Sequence, residues 1–284
     1  MINIGYRTSR IQGNTIRSIY RKLLPYIVRF PLKQTAKVAM SVYAFSCERD
    51  LPEQVASIRS FINYAGIPDR FTVISDGSYT QASQNLLRQI NPCVDIIHWE
   101  SLIAKWIPKP ILDYANHHPM GKKLASIMSL PVDQAIIYSD SDILFFPKAR
   151  EMKYLCNSQA LYLPDCCCAL DKRFLFGEEH KYPHVNAGFL FFNKTLNWDL
   201  VIERMRQVKE VPNYFTEQTM VYLTMHNNQA TPLDPSQYIL SLDDQFVYRD
   251  KYDSSRIILR HYVNPVRHRF WLNVNLNEFI DFKK

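Results

Sequence analysis

Between residues 37 and 138 short apolar runs alternate with stretches of helical spacing. Val38-Ala39-Met40-Ser41-Val42-Tyr43-Ala44-Phe45 is apolar almost throughout, which predicts a strand covered on both faces. Residues 51–64 follow with Val55, Ile58, Phe61 and Ile62 at helical intervals. Phe71-Thr72-Val73-Ile74 predicts a second strand, stopped by Ser75-Asp76-Gly77, and a helix is expected over 79–90. Residues 94–99 predict a third strand, 124–130 lie in a helix, and Ala135-Ile136-Ile137-Tyr138 predicts a fourth strand. This alternation implies an α/β domain with a mainly parallel central sheet flanked by helices.

The second half is more mixed. Residues 160–163 and 188–192 read as strands, 196–208 and 217–225 as helices, and 257–259 as a late strand ending at Arg260-His261. Ahead of the domain, Ile16, Ile19, Tyr20, Leu23, Leu24 and Ile27 recur at helical spacing, with Pro25 expected to kink or end that helix. Pro31 and Lys33-Gln34-Thr35 read as a linker, so the chain divides into residues 1–36 and 37–284.

Charge sharpens that division. The net charge is +7, and residues 1–36 hold seven Arg and Lys with no Asp or Glu. The remainder is therefore close to neutral, which disfavours nucleic acid as a partner. A basic segment with an apolar stripe fits an anionic membrane surface; packing on the core or self-association is the alternative. No run of 18 apolar residues predicts a membrane span, and no secretory signal is read at the N-terminus. A cytoplasmic protein, peripheral at a membrane, is expected. Six cysteines, three of them adjacent at 166–168, suggest free thiols in a reducing compartment, with the run as small apolar packing near a site.

Only seven glycines are present, and neither a Walker loop nor a dinucleotide fingerprint occurs. Phosphates would have to be held by a metal and side chains. Asp140-Ser141-Asp142 directly follows the strand Ile136-Ile137-Tyr138, and ligands collect at strand C-terminal ends in open α/β sheets. Apolar residues continue at Ile143-Leu144-Phe145-Phe146. Two carboxylates between apolar runs are costly unless offset. Mg2+ or Mn2+ suits such hard oxygen ligands, although an isolated D-x-D triplet is common by chance.

Ile137-Tyr138-Ser139-Asp140-Ser141-Asp142-Ile143-Leu144 resembles the strand-DxD signature of the GT-A (Rossmann-like) nucleotide-diphospho-sugar transferases, above all the retaining, glycogenin-like family 8 enzymes. Four further segments stand in the family's order: Leu163-Pro164-Asp165, His184-Val185-Asn186-Ala187-Gly188-Phe189, Glu217-Gln218, and His261-Tyr262-Val263-Asn264-Pro265-Val266-Arg267. Together they span roughly residues 37–271. The resemblance implies a hexosyltransferase using a nucleoside diphosphate sugar, UDP-linked by family default, with retention at the anomeric carbon. The acceptor class, whether glycan, lipid-linked or protein hydroxyl, is left open.

Residue by residue, the resemblance implies Asp140, Asp142 and His261 as metal ligands, with Asp140 also near the ribose. It implies Asn186, Ala187 and Gly188 at the donor sugar, Asp165 and Glu217 beside the transferred sugar as catalytic candidates, and Arg267 at the phosphates. Lys122 or Lys123 is a further phosphate candidate. Plainer readings stand beside these: a hydrogen-bonded His261, a turn at Asn186-Ala187-Gly188, a turn at Asp76-Gly77, and Glu217 as a helix N-terminal charge capped by Thr216. The chain departs from the family in lacking its Lys-Pro-Trp, Trp271 coming two positions late, and in lacking a tyrosine for base stacking after the first strand. A nucleotidyltransferase, a two-metal phosphodiesterase and a sugar-nucleotide-binding protein without turnover are the competing classes.

Overall fold

The computed structural model describes residues 3–32, 36–167 and 169–274. Lys33-Gln34-Thr35 of the expected linker and Cys168 of the cysteine run lie outside them. Helix α1 (Ile4–Ile27) precedes strand β1 (Lys37–Ser46), and α2 (Leu51–Tyr64) leads to β2 (Ile67–Ser75). Next come α3 (Gln81–Arg88) and β3 (Val94–His98), then α4 (Trp99–Leu102), α5 (Lys109–His117), α6 (Pro119–Met128) and β4 (Ile136–Ser139). The second half adds β5 (Ile143–Phe145), β6 (Ala160–Pro164), β7 (Val185–Phe192), α7 (Asp199–Gln207) and α8 (Thr216–Asn227). It closes with β8 (Thr231–Pro232), β9 (Tyr238–Ile239), β10 (Leu259–His261) and α9 (His268–Asn273).

The main sheet runs β3-β2-β1-β4-β7-β6-β8. Its first four strands are parallel, as their helix-separated apolar runs require, and β7 lies antiparallel between β4 and β6. Side-chain alternation divides the core between two faces. Val42 and Ala44 of β1 join the layer containing α1, α2 and α9, and Tyr43 joins the layer containing α5, α6 and α8. A second, smaller sheet, β5-β10-β9, is held against the first by Phe61 of α2. The Phe61 ring stands edge-on to Phe71 of β2 at 5.8 Å and to Phe145 of β5 at 5.0 Å. Such pairs add about 0.5–1.5 kcal/mol each beyond the area they bury.

Helix α1 is longer than its apolar spacing suggested. It starts at Asn3, whose side chain accepts from Tyr6 N at 2.8 Å, and it accommodates Pro25 in its last turn. The apolar stripe is split by the packing. Tyr20, Leu24 and Ile27 turn into the core, while Ile19 and Leu23 stay exposed. Arg17 forms a two-point ion pair with the buried Glu53 of α2, which also accepts from Trp271 Nε1. Gly13 is the point of closest approach to α9: a Cβ there would lie 2.3 Å from the carbonyl oxygen of His268. Trp271 is therefore a core residue beneath α1, its ring 5.0 Å from that of Tyr20.

Candidate functional site

The C-terminal ends of β1 and β4 open onto a cavity of about 940 Å³, at the edge where the parallel part of the sheet meets β7. Asp140-Ser141-Asp142 is the turn between β4 and β5, and so the bridge between the two sheets. Asp140 N donates to Gly188 O of β7 at 2.7 Å, and Tyr262 N donates to Asp142 O at 2.9 Å. Both ends of the turn are thereby fixed by backbone bonds to different sheets.

The same pairing delivers the histidine. In the antiparallel β5–β10 pair, His261 stands opposite Ile143, the residue after Asp142. His261 Nε2 lies 3.0 Å from Asp142 Oδ1 and 3.9 Å from Asp140 Oδ2. Its Nδ1 lies 3.0 Å from Asn186 Oδ1, which also accepts from Gly188 N at 2.9 Å. Asn186 Oδ1 accepts from Nδ1, which leaves Nε2 as the ring atom that faces the carboxylates, as a donor to Asp142 or, without its proton, as a metal ligand. Facing acceptors at 3.0 Å require a cation or a proton between them. Ligand atoms of Asp140, Asp142 and His261 all lie within 4.8 Å of one another. Two hard carboxylates and an oriented imidazole thus fit a divalent ion, and Asn186 supplies the outer-shell contact that holds the ring.

Around this triad lie cationic groups and a second carboxyl set. Burial pushes against ionisation of Asp142, but His261 and Arg267 hold its carboxyl well below the usual range. Arg267 reaches Asp50 at 3.0 Å and Asp142 at 3.7 Å, its guanidinium lining the cavity. Lys123, buried within α6, donates to Asp140 Oδ2 at 3.0 Å and lies 3.4 Å from Glu217 Oε1 of α8. Burial disfavours its charge, yet Asp140 and Glu217 together raise its pKa and keep it an ammonium. Burial also pushes Glu217 up to about 7, against the pull of Lys123 and with Asp140 adding to the rise. Asp165 is raised by burial and restrained by bonds from Cys167 N and Gln218 Nε2.

Nine of the ten residues singled out from sequence line this cavity: Asp140, Asp142, His261, Asn186, Gly188, Asp165, Glu217, Arg267 and Lys123. The tenth, Ala187, packs its methyl into the apolar layer with α6 and α8 and does not face the cavity. Lys122 bonds Asp76 O at 2.8 Å and covers the Trp99 ring instead of joining Lys123. Asp76 makes a turn, its Oδ1 accepting from both Ser78 N and Ser78 Oγ. Thr216 does not cap α8; its hydroxyl donates to the buried Asp171. Cys166 and Cys167 border the cavity with Sγ atoms 3.5 Å apart, and burial pushes the Cys166 thiol up to about 12. Sequence reasoning gave no role to Asp50, which anchors Arg267, or to Tyr138, whose hydroxyl donates to Asp140 Oδ1 at 3.0 Å. The acidic pair Glu48 and Asp50 in the segment after β1 was the available signal for Asp50.

Glu217 provides a direct check of this electrostatic picture. Its folded-state pKa is raised from 4.5 to about 7, so the folded protein holds that proton more tightly than the unfolded chain does. The resulting stability is fully present below pH 4.5 and is lost as pH rises through about 7. The full window corresponds to about 3 kcal/mol at 1.36 kcal/mol per pH unit. Glu217→Gln should flatten this dependence in urea unfolding between pH 4.5 and 8. Parallel curves for the two proteins would mean that the carboxyl titrates normally.

The architecture is that of the GT-A glycosyltransferases. The solved galactosyltransferase LgtC, in complex with donor and acceptor sugar analogs, superposes with a TM-score of 0.52 at 13% identity, covering 81% of this chain and 94% of that one. The bifunctional glycosyltransferase WbbM gives 0.54 at 14% identity, over 84% of this chain and 50% of that one. The glycosyltransferase GlyE of Streptococcus pneumoniae gives 0.53 at 14% identity, over 86% of this chain and 62% of that one. No family model matches the chain, and no curated protein matches it. The motif resemblance is thus borne out at the level of fold, and the roles of residues rest on the site's own geometry.

Proposed function

We propose that the protein is a metal-dependent glycosyltransferase that moves a hexose from a nucleoside diphosphate sugar to an acceptor hydroxyl. The observation that carries this reading is the convergence of Asp140, Asp142 and His261 with Lys123 and Arg267 on one cavity of a GT-A fold. Asp140, Asp142 and His261 would hold Mn2+ or Mg2+, which when bound neutralises charge on the leaving diphosphate. Arg267 offers a planar two-point donor set to the same phosphates. Lys123 stays charged beside Asp140 and supplies further positive potential. Asn186 keeps the His261 ring oriented, and Gly188 leaves room for it. Glu217, 3.4 Å from Lys123, and Asp165, held by Gln218, line the same cavity and would stabilise positive charge developing at the anomeric carbon of the transferred sugar. A UDP-linked donor and retention follow the family resemblance.

Two observations favour this over the other classes. The segment after β1, Cys47-Glu48-Arg49-Asp50, contains no glycine, whereas a nucleotidyltransferase on such a sheet would place a glycine-rich loop there. The other group of ligand-type side chains among the described residues, Asp165 with Cys166 and Cys167, joins soft thiols to one carboxylate and suits a two-metal phosphodiesterase poorly. Residues 1–36 are proposed to bring the enzyme to an anionic membrane surface, where it would meet a lipid-linked or membrane-proximal acceptor. No helix among the described residues is long and apolar enough to cross a membrane.

A thermal-shift screen of nucleotide sugars with and without Mn2+ tests the donor, because ligand binding raises apparent stability by mass action. The preferred donor should raise Tm only when the metal is present. Arg267→Ala should weaken nucleoside diphosphate binding by about tenfold or more while leaving the free nucleoside nearly unaffected, since charged hydrogen bonds contribute about 1.5–3 kcal/mol. Equal losses for both ligands would make the Arg267 loop purely structural.

A further inference from the structure

Residues 244–250 form a tightly tied loop that nonetheless holds large apolar side chains in water. Asp244 is fully buried and takes a two-point ion pair from Arg260, at 2.8 and 2.9 Å. Arg260 also pairs with Asp250, closing the two ends of the loop on one guanidinium. Buried Arg269 of α9 donates to the carbonyl oxygens of both Asp244 and Val247. Four charged side chains are thus spent on fixing the inner side of a seven-residue loop. Its outer side presents Phe246, Val247 and Tyr248, which are 60%, 49% and 47% exposed.

The loop lies against the first half of α1. The Phe246 ring stands 6.3 Å from that of Tyr6, and the Tyr248 hydroxyl donates to Gln12 at 2.8 Å. The α1 positions that meet the loop are Gly5, Tyr6 and Gln12, and elsewhere on the same half of α1 Ile4, Ile11, Arg7 and Arg10 are exposed. Arg249 adds a further exposed cation, and the nearby acid Asp243 is paired with Lys251. Apolar side chains rimmed by cations that have no acidic partner among the described residues are the composition of a surface that dips below the headgroups of an anionic bilayer.

We infer that the 246–249 loop and the first half of α1 form one rigid membrane-docking face, with Phe246 and Val247 as the inserted wedge and the arginines on the headgroups. This rests on the membrane reading of residues 1–36 and adds to it an element 236 residues further along the chain, joined to α1 only by the fold. The occupant is anionic lipid because α1 carries no acidic residue and Arg249 adds an exposed cation beside it, the loop acids Asp243, Asp244 and Asp250 being paired.

Cosedimentation of the full chain with neutral phosphatidylcholine vesicles and with vesicles containing phosphatidylserine tests the inference. The double variant Phe246→Ser/Val247→Ser spares Tyr248 and its bond to Gln12, and thermal unfolding confirms that it folds. It should lose roughly tenfold or more in partition to anionic vesicles, since interfacial binding scales with buried apolar area, while keeping its salt dependence. Arg7→Glu/Arg10→Glu should lose binding and salt dependence together. A Tyr248→Trp probe should shift to the blue on anionic vesicles, a readout that does not depend on the serine variant folding. Wild-type binding matched by the serine variant, with an unshifted probe, overturns the wedge and leaves the basic arm standing. A wild type that ignores anionic vesicles at low salt overturns both. Dimerisation without lipid that the serine variant abolishes assigns the patch to a second copy and also overturns the inference.

Discussion

Asp142→Asn should lower turnover by about a thousandfold or more and leave the fold intact. Asp142 faces His261 at 3.0 Å and Arg267 at 3.7 Å, so its charge is the meeting point of the proposed metal site and the phosphate-side cation. Metal stabilisation of a leaving group supplies several kcal/mol, and each 1.36 kcal/mol is tenfold in rate. The asparagine keeps the side chain's shape. The backbone bond that fixes the turn, from Tyr262 N to the carbonyl oxygen of residue 142, involves no side-chain atom. Thermal unfolding should accordingly shift by only a few degrees. Wild-type turnover that survives exhaustive chelation would end the metal reading.

The second large effect is expected from a single methyl group. In Gly188→Ala the added Cβ would lie 2.2 Å from His261 Cε1, 2.7 Å from its Nδ1 and 2.8 Å from Asn186 Oδ1. None of these contacts can be relieved by swinging a flexible tip, because His261 is buried on β10 and Asn186 is buried on β7. Overpacking of this kind costs about 1–3 kcal/mol, and here it falls on the ring that points at the carboxylates. We expect turnover to fall at least a hundredfold, with a drop in Tm, although alanine is ordinarily the better strand residue by about 0.5–1 kcal/mol. Measuring kcat and Tm for this one variant decides the matter: unchanged turnover would place the working His261 elsewhere.

The parallel half of the fold was legible because each buried strand is an apolar run with a sharp end. Val38 to Phe45 lies inside β1, and Ser75-Asp76-Gly77 stops β2 where expected. Helix α5 has no counterpart in the sequence reading, and Pro110 sits in its first turn, where proline is tolerated. The run Ile143 to Phe146 read only as an apolar flank. Its membership in a second sheet depends on pairing with residues 259–261, a long-range contact that no local pattern encodes. The residues gathered at the proposed metal site were picked out in the sequence through the order of their motifs. Glu217 stood equally for a helix-end charge, and only the packing of α6 against α8 sets it beside Lys123. A motif names a stretch of backbone, not the side on which each residue falls, and the Ala187 methyl turns into the apolar layer. The register of β6 on β7 shifts at this point, from Leu163 opposite Asn186 to Tyr162 opposite Leu190.

The contact between α1 and α9 bears on how the chain comes together during synthesis. Gly13 and Tyr20 are made early, but the surface they dock on, His268 and Trp271, is among the last parts of the described chain to be made. Domains made on ribosomes fold from the N-terminus onward, and long-range contacts are slow to close. Until α9 is made, the part of α1 around Gly13 and Tyr20 therefore lacks the surface on which it docks. The nascent helix is more adhesive there than the finished one, and the arrival of α9 is the event that covers Tyr20.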